Sequence, residues 1–301
     1  MKLKVLGENS LFREVRLIRK IKLFLHISLK GCKNMKIQMY QQKSPLKQEC
    51  EDSFFCNEGL KIYGVCDGAT PLVPFQDEEG HNGAYLASNV FASHFTSLKE
   101  VTSLQKAIAS ANEVLQEKMI DYEIDITKKD HVWCTCIAVV RIKDRSIQYA
   151  QLGDCMIVVT LRDETIKVLT KDTVKGISAR AKRKREEDRK KGLLVPEEYI
   201  FNDIRQQLKY NRYLANMPNG YSVANGMSEA ITWIQQGEFP LSEMKGIFIC
   251  SDGLFHPDWS LEQTVQYVSM HGIKEYVSII EELEEQKRIR PDDKTIIMIE
   301  L

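Results

Sequence analysis

Acidic side chains stand at the ends of strand-like runs in this chain, a pattern suited to oxygen-ligand chemistry. In the stretch 60–68 (LKIYGVCDG), apolar residues alternate up to Val65, and then Asp67 and Gly68 arrive together. Alternation with period two predicts a half-buried strand. An Asp at its mouth can hold a cation, and a Gly lets the backbone turn so that its carbonyl faces the same point. A single Asp-Gly is also a common turn and carries little alone. Three further stretches change that balance: 247–253 (IFICSDG) ends in Asp252–Gly253, 147–154 (IQYAQLGD) ends in Gly153–Asp154, and Asp292–Asp293 leads into the run KTIIMI. Glu51 and Asp52 add a fifth acidic site upstream of Ser53, Phe54 and Phe55.

Were Glu51, Asp67, Asp252 and Asp292 to converge, each pair about 4 Å apart would repel by roughly 4 kcal/mol at an effective dielectric near 20. Protons or cations must then neutralise them. The donors on offer are oxygens, the carboxylates and the Gly68 carbonyl; His256 and Cys155 lie beside them but not at ligand-pair spacing. Oxygen-only sites select magnesium or manganese over zinc or copper. Two such ions bridged by one Asp acidify a shared water and offset charge on a phosphate.

The elements that would position these acids are legible in order. Two strands are expected between Ile37 and Asp67, separated by a loop bearing Lys43, Lys47, Glu51 and Asp52. Helical spacing marks 84–98 and 104–122, the latter with Ala107, Ile108, Ala111, Leu115 and Met119 on one face. Strands follow at 131–142, 145–152 and 156–161, with 167–169 closing the meander. A strand at 247–250, helices around 261–268 and 276–286, and a final strand complete the chain. The pattern predicts an α+β fold with two mainly antiparallel sheets covered by helices, not regular βαβ alternation. Residues 36–301 are read as one domain with a flap-like helical insertion at about 172–222.

The basic run 180–191 is interrupted by Glu186, Glu187 and Asp188 and has no interleaved aromatic residue, so a solvated charged helix is favoured over a nucleic-acid patch. A formal net charge of +0 argues neither for nor against nucleic acid. Residues 1–35 form a basic extension with Leu11, Phe12, Val15, Ile18, Ile21, Leu25 and Leu29 near helical spacing. A dispensable extension is favoured there over an amphipathic helix resting on an anionic membrane through 1–34. The eight cysteines include no C-x-x-C pair, and Cys66, Cys134, Cys136 and Cys250 lie in apolar runs. A reduced, cytoplasmic protein is expected, and a monomer.

The series Glu51–Asp52, Asp67–Gly68, Gly153–Asp154, Ser251–Asp252–Gly253 and Asp292–Asp293–Lys294–Thr295 resembles the metal-dependent Ser/Thr protein phosphatases of type 2C, more narrowly their short bacterial members. Order and rough spacing match over nearly all of 36–301, and the run Trp133 to Cys136 sits where the family has a Gly-Ser/Thr-Thr strand. The resemblance implies a four-layer α-β-β-α sandwich and hydrolysis of phosphoserine or phosphothreonine in a phosphoprotein by water activated between two Mn2+ or Mg2+ ions. It implies that Asp67 bridges the metals, Asp252 and Asp292 complete the first site, and Glu51 and the Gly68 carbonyl serve the second. Asp52 would orient coordinated water, and Asp154 with Asp252 would hold a weaker third ion. Lys47 stands where the family often has a phosphate-binding Arg, and Arg212, in the insertion, is a candidate docking cation for the substrate. Departures are present. Lys47 offers a point charge, not a fork; Ala69 stands where many members carry a general-acid His; Cys155 replaces a Ser. His81 and His256 are weaker candidates for proton donation than coordinated water. A phosphatase-like module that binds partners without turnover is the competing reading.

Overall fold

The computed structural model describes residues 35–301 and the backbone of Leu23–Ser28. Six strands pair antiparallel in the first sheet, with Leu23–Ser28 (β1) at one edge. The order is β1, Lys36–Gln42 (β2), Lys294–Glu300 (β11), Met244–Cys250 (β10), Met156–Leu161 (β7) and Ile166–Val168 (β8). The second sheet is five-stranded, with Asp52–Asn57 (β3), Ile62–Ala69 (β4), Cys134–Ile142 (β5), Ser146–Leu152 (β6) and Gln235–Pro240 (β9) side by side. Every named pair is antiparallel.

Period two sorts the first sheet's side chains into two cores. Ile37, Met39, Ile157, Val159, Ile247, Ile249, Ile297 and Ile299 face the second sheet. Tyr40, Met156, Val158, Phe248, Cys250 and Ile296 alternate with them and meet Val265, Val268, Ile273, Tyr276 and Ile280. Those partners lie on the helices Leu261–His271 (α5) and Ile273–Glu285 (α6). The helices Gly83–Ser97 (α1) and Leu104–Asp121 (α2) cover the other sheet with Leu86, Phe91, Phe95, Ile108, Leu115 and Met119. The layers therefore run helix, sheet, sheet, helix. The central strands read as almost unbroken apolar runs because both of their faces are covered.

Three expectations are corrected. The region from Ile37 to Asp67 holds three strands, not two, because Asp52–Asn57 forms a hairpin with β4 through a turn in which Lys61 adopts φ 53°. β9 was not expected at all. Leu23–Ser28, in the stretch expected to be a dispensable extension with an amphipathic helix as the alternative, is a strand in register with β2 from Leu23 opposite Gln41 to Ser28 opposite Lys36. The same residues also alternate with period two, and pairing to β2 satisfies their backbone groups. The sheet thus reaches back beyond the boundary expected at residue 36. The rest of the basic extension, and with it the alternative of a membrane-resting helix, lies outside the described residues. Among the described residues no helix is long and apolar enough to cross a membrane.

The insertion between β8 and β9 carries Ile177–Lys190 (α3) and Ile204–Tyr213 (α4). α3 is mostly solvated, as expected of the basic run. Ala181, Arg185 and Asp188 are buried, and Arg185 has its guanidinium 3.9 Å from the Phe201 ring centre, over Tyr210 at 4.9 Å, and paired with Glu198.

Candidate active site

The acidic strand ends meet at one end of the paired sheets. Asp52 opens β3 and lies directly opposite Asp67 near the end of β4. Asp252 follows β10, Asp292 precedes β11, and Asp154 sits in the turn between β6 and β7. The two sheets are joined here by Ser251, whose Oγ donates to Asp52 Oδ2 at 2.7 Å and accepts from Thr295 N at 3.0 Å. Thr135 Oγ1 donates to the Asp67 carbonyl at 2.9 Å and fixes the end of β4 from β5.

Glycines allow the segments to close on one another. A Cβ on Gly68 would collide with the Ala84 and Glu51 carbonyls, and one on Gly253 with the Asp293 carbonyl. Gly153 adopts φ +95° against Cys136, a conformation that favours glycine.

Crowding is visible in the acids' proton affinities. Burial first, then the Asp293 charge, pushes Asp52 up to about 8. Burial and Asp292 push Asp252 up to about 6, although a hydrogen bond with Asp67 opposes the shift. Burial followed by Asp52, Asp252, Asp154 and Asp292 holds Asp67 well above the ordinary aspartate value. Asp154 is raised by burial and by Asp252, and its buried Oδ1 has no hydrogen-bond partner. Asp172, at the start of the insertion, adds a charge that acts on both Asp154 and Asp252.

Lys47 is drawn into this cluster. Its Nζ lies 2.8 Å from Glu51 Oε2, 2.7 Å from Asp292 Oδ1 and 3.0 Å from Asp293 Oδ2, with 17% of the side chain exposed. Burial opposes its charge, but Asp292 and Asp293 more than offset that and hold the ammonium well above the usual lysine value. Asp293 is anchored in turn by the backbone N–H groups of Ser44 and Glu51, both at 2.7 Å. Asn82, the N-cap of α1, donates to Glu51 Oε1 at 2.6 Å. A cleft of about 310 Å³ opens beside these groups, lined by Lys47, Glu51, Asn82, Thr70, Arg290 and Asp292 among others.

The donors suit hard divalent cations in kind, and the orphaned Asp154 oxygen is a buried acceptor in want of one. Among the described residues, however, no three Asp, Glu, His or Cys side chains form a group spaced to hold a metal ion as they stand. The Lys47 ammonium occupies the space between Glu51 and Asp292 instead.

Arg212 is not a docking cation. It is 7% exposed, with Nη1 donating to Cys134 Sγ at 2.8 Å and Nη2 to the Thr70 carbonyl at 3.3 Å, so it ties α4 to the core. His81 stacks on Tyr85 and faces Asp77 and Glu49. His256 stacks on Trp259, its Nδ1 accepting from Asp258 N. Neither lines the cleft. The sequence alone assigns Asn82, Ser251, Asp293 and Arg290 no role in the site; Ser251 and Asp293 lie within the acidic motifs, the N-cap position of Asn82 ahead of an apolar helix is a local signal, and Arg290 has none.

The chain is thus a four-layer sandwich with buried carboxylates gathered at one end of its sheets, beside an open cleft. The protein phosphatase 2C family model matches residues 45–289, and the chain belongs to that family. Solved structures share the fold at low identity. The serine/threonine phosphatase Stp1 from Staphylococcus aureus is 16% identical with a TM-score of 0.56, covering 91% of this chain and 99% of its own. The Mycobacterium tuberculosis serine/threonine phosphatase PstP/Ppp is 15% identical at TM-score 0.56, covering 89% and 98%. The PstP catalytic domain in complex with two manganese ions is 15% identical at TM-score 0.55, covering 88% and 97%. None of the curated proteins matches the chain in sequence.

Proposed function

We propose that this chain hydrolyses phosphoserine or phosphothreonine in a protein substrate, by in-line attack of water at the cleft beside Glu51 and Asp292 and without a covalent intermediate. The observation that carries the reading is the meeting of Asp67, Asp154 and Asp252 with Glu51 and Asp292 from five separate segments, where burial and mutual repulsion raise the proton affinities of Asp67, Asp154 and Asp252. Side chains so placed hold cations when functional and are costly otherwise. Asp67, Asp252 and Asp292 would hold one ion, and Asp67, Glu51 and the Gly68 carbonyl a second. Asp154 and Asp252 would share a weaker third. Mn2+ or Mg2+ bound there supplies an acidified water and positive charge against the phosphoryl oxygens.

The chain's own groups do the rest. Asp52, held by Ser251, would orient the attacking water at this corner of the site. Asn82 fixes the Glu51 carboxylate. Arg290, on the cleft wall, offers a fork to the phosphoester, since Lys47 is engaged by three carboxylates. No histidine lines the cleft, so the leaving serine or threonine oxygen takes its proton from water.

The full chain with Mn2+ and a phosphoserine peptide is expected to release phosphate, and Asp252→Asn to lose on the order of a hundredfold or more in kcat/KM. Undiminished turnover in Asp252→Asn would remove the assigned site. One observation, the Lys47 ammonium lodged among the acids, favours the second reading of a phosphatase-like binding module. Tight phosphopeptide binding with no phosphate released would select it.

A further inference from the structure

We infer that Lys47 is a tethered occupant of the second cation position, a built-in competitor that weakens one of the two divalent sites. The inference rests on the metal-dependent reading above and concerns how that site is filled. Its Nζ touches Glu51, Asp292 and Asp293 at 2.7–3.0 Å, and two of these three are the carboxylates assigned to different ions. An ammonium placed between them satisfies both at once, and a divalent ion bound through Glu51 must evict it.

The lysine is well placed to compete. It lies four residues before Glu51, so its effective concentration at the site is on the order of millimolar or higher. The backbone around it is fixed: Lys47 N donates to the Ser44 carbonyl at 3.3 Å, and Ser44 N and Glu51 N both donate to Asp293. The ammonium also differs from Arg290, which lines the same cleft but has no carboxylate partner among the described residues. A position effect and a general field effect can therefore be told apart.

The test is calorimetric titration of the metal-free full chain with Mn2+, without substrate, for wild type, Lys47→Met and Arg290→Gln. Wild type is expected to bind one ion tightly and a second weakly. Lys47→Met, of similar length without the charge, is expected to bind the second about tenfold more tightly or better. Arg290→Gln is expected to leave both affinities within about twofold, because it removes a charge from the cleft but not from the cation position. An affinity in Lys47→Met that is unchanged or weaker overturns the proposal, as does equal tightening in Arg290→Gln. Lys47→Gln, read the same way, guards against a packing defect in the Met variant.

A second readout needs no variant. Acylation of lysine amines followed by mass spectrometry should label Lys47 slowly in the metal-free protein and faster with Mn2+ present. Equal rates would overturn the displacement. If neither wild type nor Lys47→Met binds Mn2+ at all, the metal-dependent reading itself fails. If wild type already binds two ions tightly, that reading stands and this inference falls.

Discussion

Replacing Asp154 by Asn should make the metal-free protein more stable while blunting its response to Mn2+. Asp154 is 8% exposed, and its Oδ1 has no hydrogen-bond partner. Burial first, and then the Asp252 charge, hold its carboxyl well above the usual aspartate value. A carboxyl raised in this way binds its proton more tightly in the folded state than in the unfolded chain. Its contribution to stability is therefore complete below the ordinary aspartate value and is lost as pH climbs towards the raised one, at most at about 1.4 kcal/mol per pH unit. An unpartnered buried group costs on the order of 1–3 kcal/mol. Asn keeps the shape and an acceptor for the Cys136 thiol while removing the charge. In EDTA at pH 8, Asp154→Asn is expected to gain about 1–3 kcal/mol in urea unfolding. Its Tm should rise by at least about 2 °C per kcal/mol. The advantage shrinks at pH 5, and Mn2+ raises its Tm less than it raises that of wild type. A loss of more than about 1 kcal/mol in EDTA would refute the argument, and so would a full wild-type response to Mn2+.

Asp252 and Asp52 shift with the same sign. Asp252, raised to about 6, and Asp52, raised to about 8, should make the metal-free protein lose stability from about pH 4 to pH 8, so Mn2+ should raise Tm more at pH 8 than at pH 5; an equal or reversed increment in thermal melts would count against the crowding. Arg212→Met should cost about 2–4 kcal/mol in urea unfolding by leaving the Thr70 and Val132 carbonyls unpaired, whereas a docking role would leave stability intact and raise KM. Gly253→Ala should cost about 1–3 kcal/mol or more, and weaken Mn2+ binding, because its Cβ would meet the Asp293 carbonyl; a neutral outcome in either measurement contradicts that packing.

Much of this was readable before folding, and the gaps have physical causes. α1 and α2 show because their apolar residues recur at helical spacing, and β10 and β11 because both faces are buried and the runs are nearly all apolar. β9 does not show: its sequence QQGEFP is polar with Gly and Pro, and its place at a sheet edge depends on backbone bonds to β6. β3 was hidden because Glu51 and Asp52 look like loop residues until Asp52 is seen opposite Asp67. The acids themselves were legible because each ends a strand. Which of two adjacent acids turns inward was not: Asp293 is the buried one that orders the Ser44–Glu51 backbone, while the Asp292 side chain is 43% exposed at the cleft. Arg212 looked available because it lies in a polar helix, but α4 lays that one face against Val132 and Cys134.

Anomalous scattering from crystals of the full chain soaked in Mn2+ tests the central claim most directly. The account predicts a strong peak bonded to Asp67, Asp252 and Asp292, and a weaker one beside Glu51 and the Gly68 carbonyl with the Lys47 side chain swung away. Peaks elsewhere on the surface, with these carboxylates unliganded at saturating Mn2+, would contradict it.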